Sequence, residues 1–560
     1  MIQEIFQEPC NAYYKIFTDK PTKGYKYRFL SPFELKDTLI KEANKSVGQN
    51  NVLNAGRGNP NFFSTMPRYA FALLTQIATE LGDRFCEEKE IGFMPTKKGI
   101  GKKFDKMLNK HKNTPQGKFL KNVCDKMKRI SNMSKDNFTH NLVISTIGCF
   151  YPSPPRVQHF VEPVLAEFMD KNVYRSKTTL KGRVKVMPTE GCAAAILYVF
   201  NSLKYNGLVI AGDTVGIMTP IFSPYLEIPS LNNYNLDQIC LQADSDNNWE
   251  VPQDQVEKLG NPKMRALFLV NPTNPTALSL SASSVRKMAS VIRKKNPNII
   301  ILEDNVYAPF VKEFNDFFNV LPRNTIGVFS FSKYFGTTGW RLGSIIMHDN
   351  NIIDSKLLKQ APDSVNDRYK MLTTKPQNIK FIDRILADSR EVAEAHVAGL
   401  STPQQTLMAI MAAGDLLDKE RILQNTLDNL LLERMNELLE PINYTIDESD
   451  LNSNYYIVLE ITKVADNLMG GTNFGNYLKS ERDPIEFVIN LAKKHGVVLL
   501  PAVGFGGPFW GVRVSLANLY AEDYNIIGES LRNLIDDYYE DFKKWENKLI
   551  REKEKAAKKD

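Results

Sequence analysis

The chain has 560 residues, of which 43% are hydrophobic and 24% charged, an ordinary composition for a soluble globular protein too long for one core. Lys and Arg number 71 against 64 acidic residues, for a net charge of +7; no apolar run approaches a membrane span, and Met1 to Cys10 has no signal-peptide core. Six scattered cysteines, Cys10, Cys86, Cys124, Cys149, Cys192 and Cys240, form no C-x-x-C pair, so neither a metal site nor a disulfide framework is expected and a cytoplasmic setting fits best.

In chain order, residues 1–50 read as an arm with one helix over 32–43, and residues 65–135 as mostly helical. The positive excess is local: residues 88–135 hold a run of lysines from Lys97 to Lys128, followed by Arg129. Such a run suits either an anionic partner or a solvated helical face. Asp105 and Asp125 interrupt it and no aromatic interleaving suits base stacking, so the solvated face is favoured and no nucleic-acid partner is expected. From Lys185 to His348 short apolar runs at 207–210, 266–270, 299–302 and 328–330 alternate with helical stretches such as 281–295. That alternation predicts a mainly parallel sheet covered by helices on both faces, with ligands beyond the carboxyl ends of its strands. Residues 350–400 are polar without a strong period. A long helix is expected to start after Ser401-Thr402-Pro403 and run past Leu417. From Asn454 the chain reads as a smaller α/β domain, with strands at 455–461, 496–500 and 512–516, helices at 484–495 and from 521 to about 546, and a frayed charged end over 551–560. The predicted organisation is an arm over 1–64 that joins the small domain, a basic helical insertion over 65–140, a large domain over 141–400, and a connecting helix with the small domain over 401–560.

The residues with chemical potential fall after the predicted strands. Ser330-Phe331-Ser332-Lys333 is followed by Gly339-Trp340-Arg341-Leu342-Gly343. One lysine among small residues can form a Schiff base with the aldehyde of pyridoxal phosphate (PLP), while Ser330 and Arg341 bind its phosphate. Asp304, in Glu303-Asp304-Asn305-Val306-Tyr307, can pair with a protonated pyridine nitrogen, or simply cap a helix. Tyr307 and Asn274, the latter in Asn271-Pro272-Thr273-Asn274-Pro275, can hold the cofactor's phenolic oxygen; an ordinary turn also explains the Asn-Pro pattern. Gly191-Cys192-Ala193 opens an apolar helix and suits either phosphate approach or close helix packing. Cys192 reads as a small filler, and Phe222 as a ring-stacking or a core aromatic. Arg513 lies inside an apolar strand, where a substrate carboxylate or a structural salt bridge would pair it.

Taken together, these residues resemble the aminotransferase class of fold-type I PLP-dependent transferases, from about Tyr151 to Leu519. Ser31-Pro32-Phe33-Glu34-Leu35-Lys36, 54–61 with Gly56-Arg57-Gly58, and 396–405 are similar to aspartate 4-decarboxylases that are also aspartate aminotransferases. The resemblance implies an α/β fold with a large domain built on a mainly parallel seven-stranded type of sheet, a smaller α/β C-terminal domain and an N-terminal helical arm. It implies PLP as cofactor, with Lys333 as Schiff-base lysine and general base and Asp304 as pyridinium partner. Asn274 and Tyr307 then bind the phenolic oxygen; Ser330, Arg341, Gly191, Cys192 and Ala193 the phosphate; Phe222 the ring face; and Arg513 the substrate α-carboxylate. Tyr151 resembles the tyrosine that such dimers lend to a neighbour's phosphate, which implies a homodimer or larger homo-oligomer with shared sites. Two positions depart from the family: Phe62 replaces a tryptophan and Cys192 a hydroxyl residue, the latter weakening a phosphate contact.

The expected reaction is β-decarboxylation of L-aspartate to L-alanine, with aspartate:2-oxoglutarate transamination as second activity. Arg57, flanked by Gly56 and Gly58, is expected near the β-carboxylate, unless it makes an ion pair with the arm. A plain aspartate or aromatic amino-acid aminotransferase is the alternative. A PLP-binding regulator would carry an N-terminal helix-turn-helix, which residues 1–60 do not suggest, and Lys333, Asp304 and Arg513 together argue against lost catalysis. No metal and no membrane partner is expected.

Overall fold

The computed structural model describes residues 27, 30–82, 91–176, 183–231, 235–390, 399–470 and 473–557. Cys10, Cys86 and the stretch 396–398 of the family-like segment lie outside them.

Near the N-terminus a two-residue strand, β1 (Leu53–Asn54), follows the helix Pro32–Val47. Seven strands make the main sheet: β2 (Val184–Thr189), β3 (Thr214–Thr219), β4 (Asp237–Gln242), β5 (Met264–Val270), β6 (Ile300–Asp304), β7 (Thr325–Ser330) and β8 (Gly343–His348). Their spatial order is β2-β8-β7-β6-β5-β3-β4. Neighbours from β7 to β4 run parallel, whereas β8 is antiparallel to both β2 and β7. β5 to β8 are almost wholly buried, as a sheet covered on both faces requires. The sheet's two faces bury separate apolar clusters, one with Phe200, Phe268 and Val328, the other with Leu267, Met288 and Ile301.

A smaller sheet follows late in the chain. It consists of β9 (Tyr456–Glu460), β11 (Leu500–Pro501) and β12 (Gly511–Ser515), while β10 (Val497–Val498) pairs in parallel with β1. The N-terminal segment therefore belongs structurally with the late part of the chain: Ser515 N–H donates to the Ala55 carbonyl (2.8 Å) and Arg434 Nη2 to Asn61 Oδ1 (2.8 Å). This pinning carries Gly56, Arg57 and Gly58 to the edge of the main sheet. The basic region is the helical set Met66–Gly82, Ile100–Asn109, Pro115–Ser131 and Lys135–Ile147, packed on the helix Thr402–Leu417.

Besides the strands β2, β3, β4 and β8, which none of the apolar runs marks, the element pattern departs from expectation in four places. Residues 207–210 are no strand. Gly207, at φ +65°, turns the chain after the helix Cys192–Tyr205, and the N–H groups of Leu208 and Val209 both donate to the Leu203 carbonyl, so this apolar run is a helix C-terminus. The helix opened by Ser401 ends at Leu417, where the Asp418 carboxylate accepts from Ile422 and Leu423 N–H and starts a second helix, Ile422–Leu439. The expected strand at 496–500 is split into β10 and β11. The polar stretch at 350–400 contains the helix Phe381–Arg390, fixed by Arg384 and Asp388 in a buried polar network. Cys124, Cys149 and Cys192 are free.

Candidate active site

A cavity of about 440 Å³ opens where the carboxyl ends of β5, β6 and β7 meet the N-terminal segment and β12, and it is lined by Lys333, Asp304, Asn274, Tyr307, Ser330, Arg341, Cys192, Ala193, Phe222, Arg513, Arg57 and Gly58. Gly191 adjoins it through Arg341. Tyr151 alone of the sequence-derived candidates stands apart, with 68% of its surface exposed.

Each lining residue is placed by local structure. β7 ends at Ser330, whose Oγ accepts from Ser332 N–H (3.1 Å) and opens the short helical turn that carries Lys333. Lys333 Nζ donates to the Gly58 carbonyl (2.6 Å). Burial holds the pKa of this amine below the usual lysine range; the neighbouring Tyr456 phenol works against that, and the Arg513 and Arg341 charges reinforce it.

Asp304 ends β6 and is 3% exposed. Its Oδ1 accepts from Val306 N–H (3.2 Å), and its Oδ2 from the Cys192 thiol and the Tyr225 hydroxyl, both at 3.3 Å. Burial pushes its pKa up to about 6, against the pull of those hydrogen bonds and of the Lys333 charge. It serves its own turn and makes no ion pair among the described residues, so a cation beside it would relieve an unmatched buried carboxylate. Cys192, read from sequence as a filler, is thus a donor to Asp304.

Asn274 lies in a loop pinned by Asn271, whose side chain donates to Glu303 Oε1 (2.9 Å) and accepts from Leu280 N–H (3.0 Å). Asn274 Oδ1 accepts from Arg513 Nη1 (3.0 Å). The Tyr307 hydroxyl lies 2.9 Å from that of Tyr456. Phe222 meets Phe33 edge-on, with ring centroids 6.0 Å apart.

Gly191 has φ +92°, and a Cβ there would fall 2.2 Å from Arg341 Nη2. Only glycine lets that guanidinium lie against the N-terminus of the helix Cys192–Tyr205, where a cation and free N–H groups together suit a phosphate.

Arg513 is 1% exposed. Its Nη2 donates to the Gly56 carbonyl (2.8 Å), and its guanidinium is sandwiched between the Tyr456 and Phe505 rings, each 4.6 Å away. Its Nε has no hydrogen-bond partner, and it makes no ion pair among the described residues. A buried guanidinium in that state calls for an anion. Arg57, which is exposed, likewise has no ion pair among the described residues.

The sequence reading passed over several lining residues: Phe33 and Lys36 on the helix Pro32–Val47, and Tyr456 on β9. Lys36 and Phe33 belong to a segment noted only for its family resemblance; helical periodicity would have placed Lys36 on the polar face. Tyr456 looks like any core aromatic of a strand.

The sheet order, the strand-end lysine and aspartate, and the anion-seeking arginine together define a fold-type I PLP enzyme. The family model for aminotransferase class I and II matches residues 148–531, and the chain belongs to that family. It is 36% identical to the bifunctional aspartate aminotransferase and L-aspartate beta-decarboxylase of a Pseudomonas species, over 92% of this chain and 97% of that one. It is 31% identical to an aspartate aminotransferase of Pyrococcus horikoshii, but over only 26% of this chain and 37% of that one. Among solved structures, aspartate aminotransferase of Thermotoga maritima superposes with a TM-score of 0.54 at 17% identity, covering 92% of this chain and 99% of that one. This last likeness concerns the fold alone. The family is PLP-dependent, and the residues present fit that cofactor: a desolvated amine, a buried carboxylate lacking a cation, and the Gly191–Arg341 cradle.

Proposed function

We propose that this chain converts L-aspartate to L-alanine and CO2, with aspartate:2-oxoglutarate transamination as a second outcome. One observation carries the reading. The bifunctional relative is matched almost end to end, and the N-terminal segment that lies before residue 148 brings two cations, Lys36 and Arg57, into the cavity that holds Lys333. A general aminotransferase site needs one cation for the α-carboxylate; a dicarboxylic substrate needs a second.

PLP, when bound, supplies an aldehyde that condenses with amines and a cationic ring that takes up the electron pair of a broken bond. The chain's residues do the rest. Ser330, Arg341 and the backbone from Gly191 to Ala193 hold the phosphate, helped by Tyr151 of a neighbouring subunit. Asp304 holds the ring nitrogen protonated, Asn274 and Tyr307 bind the phenolic oxygen, and Phe222 covers the ring. Arg513 binds the α-carboxylate with two donors in one plane. Lys333 would anchor the cofactor, and its free amine would take the α-proton at Nζ; its lowered pKa leaves more of that amine unprotonated and able to accept. Arg57 lies near the β-carboxylate. An exposed, unclamped cation there suits a carboxylate that must lose its charge as CO2 leaves, since a tight clamp would stabilise the ground state. Water access to the site divides the flux between alanine and oxaloacetate.

The organisation that goes with this function is the arm 1–64 joined to the small domain, the basic helices 65–140, the large domain 141–400 and the small domain 401–560, assembled as a homodimer or larger. The pairing of β1 with β10 supports the first of these. The test is direct: purified protein is incubated with aspartate and PLP while CO2 and alanine are recorded. Alanine and CO2 in equal amounts are expected. Oxaloacetate without CO2 would leave a plain aspartate aminotransferase.

A further inference from the structure

Tyr456 has no part in the assignments above, yet it occupies the centre of the site. It ends its side chain against three functional groups. Its hydroxyl is 2.9 Å from that of Tyr307, and its ring lies 4.6 Å from the Arg513 guanidinium. The third relation runs through Gly58. A Cβ on Gly58 would fall 2.5 Å from the Tyr456 hydroxyl and 3.3 Å from Lys333 Nζ, so both proton-bearing atoms face the same point beside the Gly58 backbone. Only a residue without a side chain keeps that point open.

We propose that Tyr456 is the acid that protonates the β-carbon once the β-carboxylate has left, an assignment that rests on the aspartate-decarboxylating function argued above. The balance requires such a group. L-aspartate, with two carboxylates and one ammonium, takes up one proton to become L-alanine and CO2. The bond from Cβ to the carboxylate carbon breaks, CO2 departs, and the electron pair left behind forms a new C–H bond at Cβ. Lys333 is occupied with the α-proton. Tyr307 and Asn274 are committed to the phenolic oxygen and the arginines to carboxylates and phosphate, and an arginine gives up no proton in this range. The Tyr456 phenol is a neutral O–H facing that open point. The phenolate recovers its proton from water entering the cavity.

The experiment uses the PLP-loaded full chain and aspartate carrying one protium and one deuterium at Cβ in a single configuration, turned over in tritiated water. The methyl carbon of alanine then records the side from which the proton arrived. Wild type is expected to give methyl groups of one hand. Tyr456→Phe is expected to form alanine about 100-fold more slowly or worse, as loss of a general acid does, and to give both hands, because water then protonates without a fixed direction. Alanine of a single hand from Tyr456→Phe, at any rate, overturns the assignment. If the variant forms no measurable alanine, exchange of the α-proton of aspartate with solvent decides: continued exchange supports a block at Cβ, and lost exchange overturns it. Binding of pyridoxamine 5′-phosphate to the apo-protein, followed by fluorescence, is expected to match wild type and shows that the variant is folded. Wild type that releases no CO2 from aspartate removes the function itself, a different result from wild-type turnover with an unaltered Tyr456→Phe.

Discussion

Arg513 donates through Nη1 to Oδ1 of Asn274 across 3.0 Å, and this single bond joins β12 of the small sheet to the loop after β5 of the large one. The group assigned to the substrate α-carboxylate therefore also holds a group assigned to the cofactor. The Nε of the same guanidinium has no hydrogen-bond partner among the described residues.

Arg513→Ala is expected to lower kcat/KM for aspartate by some 30-fold to several thousand-fold, since truncating one partner of a buried charged pair costs roughly 2–5 kcal/mol. Arg513→Lys should recover little, because an ammonium cannot supply two coplanar donors. Steady-state kinetics with aspartate and with 2-oxoglutarate check this. Equal losses for both are expected, as both carry the α-carboxylate. Unchanged values would return Arg513 to a structural role.

Lys333→Ala should abolish turnover and the visible absorbance that borohydride bleaches, while the apo-protein still binds PLP through the phosphate cradle. The measurement is an absorption spectrum before and after reduction, with peptide mapping of the reduced lysine. A reduced adduct on another lysine, with turnover intact, removes the core of the reading.

Asp304 gives a prediction of opposite signs for stability and for function. Its folded pKa of about 6 lies above the ordinary carboxylate value of 3.8. Its contribution to apo-protein stability is therefore fully present below the unfolded pKa and is lost as pH rises through 6. Near neutral pH the ionised buried group costs the apo-protein up to about 3 kcal/mol. Asp304→Asn should thus flatten the fall in apo-protein stability between about pH 4 and pH 7, measured by denaturant unfolding at each pH. The same change removes the cation's partner, and turnover should drop by several orders of magnitude at roughly tenfold per 1.4 kcal/mol of barrier. Parallel pH curves for both proteins would show that Asp304 is not the titrating group.

Arg57→Ala tests the second cation. Aspartate turnover should change and the CO2-to-oxaloacetate ratio should shift, while the borohydride-sensitive absorbance stays. Product analysis by enzyme-coupled assay reads both. An unchanged ratio with unchanged aspartate affinity would turn attention to Lys36, the other cation from the N-terminal segment that lines the cavity.

What the sequence made legible follows from where its signals are local. Lys333 and Asp304 could be found because one closely follows a buried strand and the other ends one, and a parallel sheet brings such strand ends together. β2, β3, β4 and β8 were missed: Thr, Gly, Gln and His within them blunt the apolar run. The reverse error at 207–210 came from apolar residues that a positive-φ glycine had already committed to a helix end. Lys36 and Tyr456 lie far in sequence from Lys333, on a helix face and inside a strand, where a solvated lysine and a core tyrosine look the same as functional ones. The guanidinium of Arg513 was readable as an oddity in an apolar strand; its bond to Asn274 required the two sheets to be placed.

Tyr151 is the remaining candidate, and it carries the argument for assembly. It lies after the helix Lys135–Ile147, 68% exposed and outside the cavity of its own chain. If the chain assembles as a dimer about a twofold axis, each copy could present this tyrosine to the Gly191–Arg341 cradle of the other. Its hydroxyl would then add one charge-assisted hydrogen bond to the phosphate, worth about 1.5–3 kcal/mol. Tyr151→Phe should weaken PLP binding to the apo-protein by roughly ten- to a hundredfold with little change in subunit fold. The affinity is measured by fluorescence titration, and the mass of the active species by light scattering at assay dilution. A dimer or larger species is expected at every dilution that retains activity. A fully active monomer, or a Tyr151→Phe variant with wild-type PLP affinity, would show that each chain completes its own phosphate site.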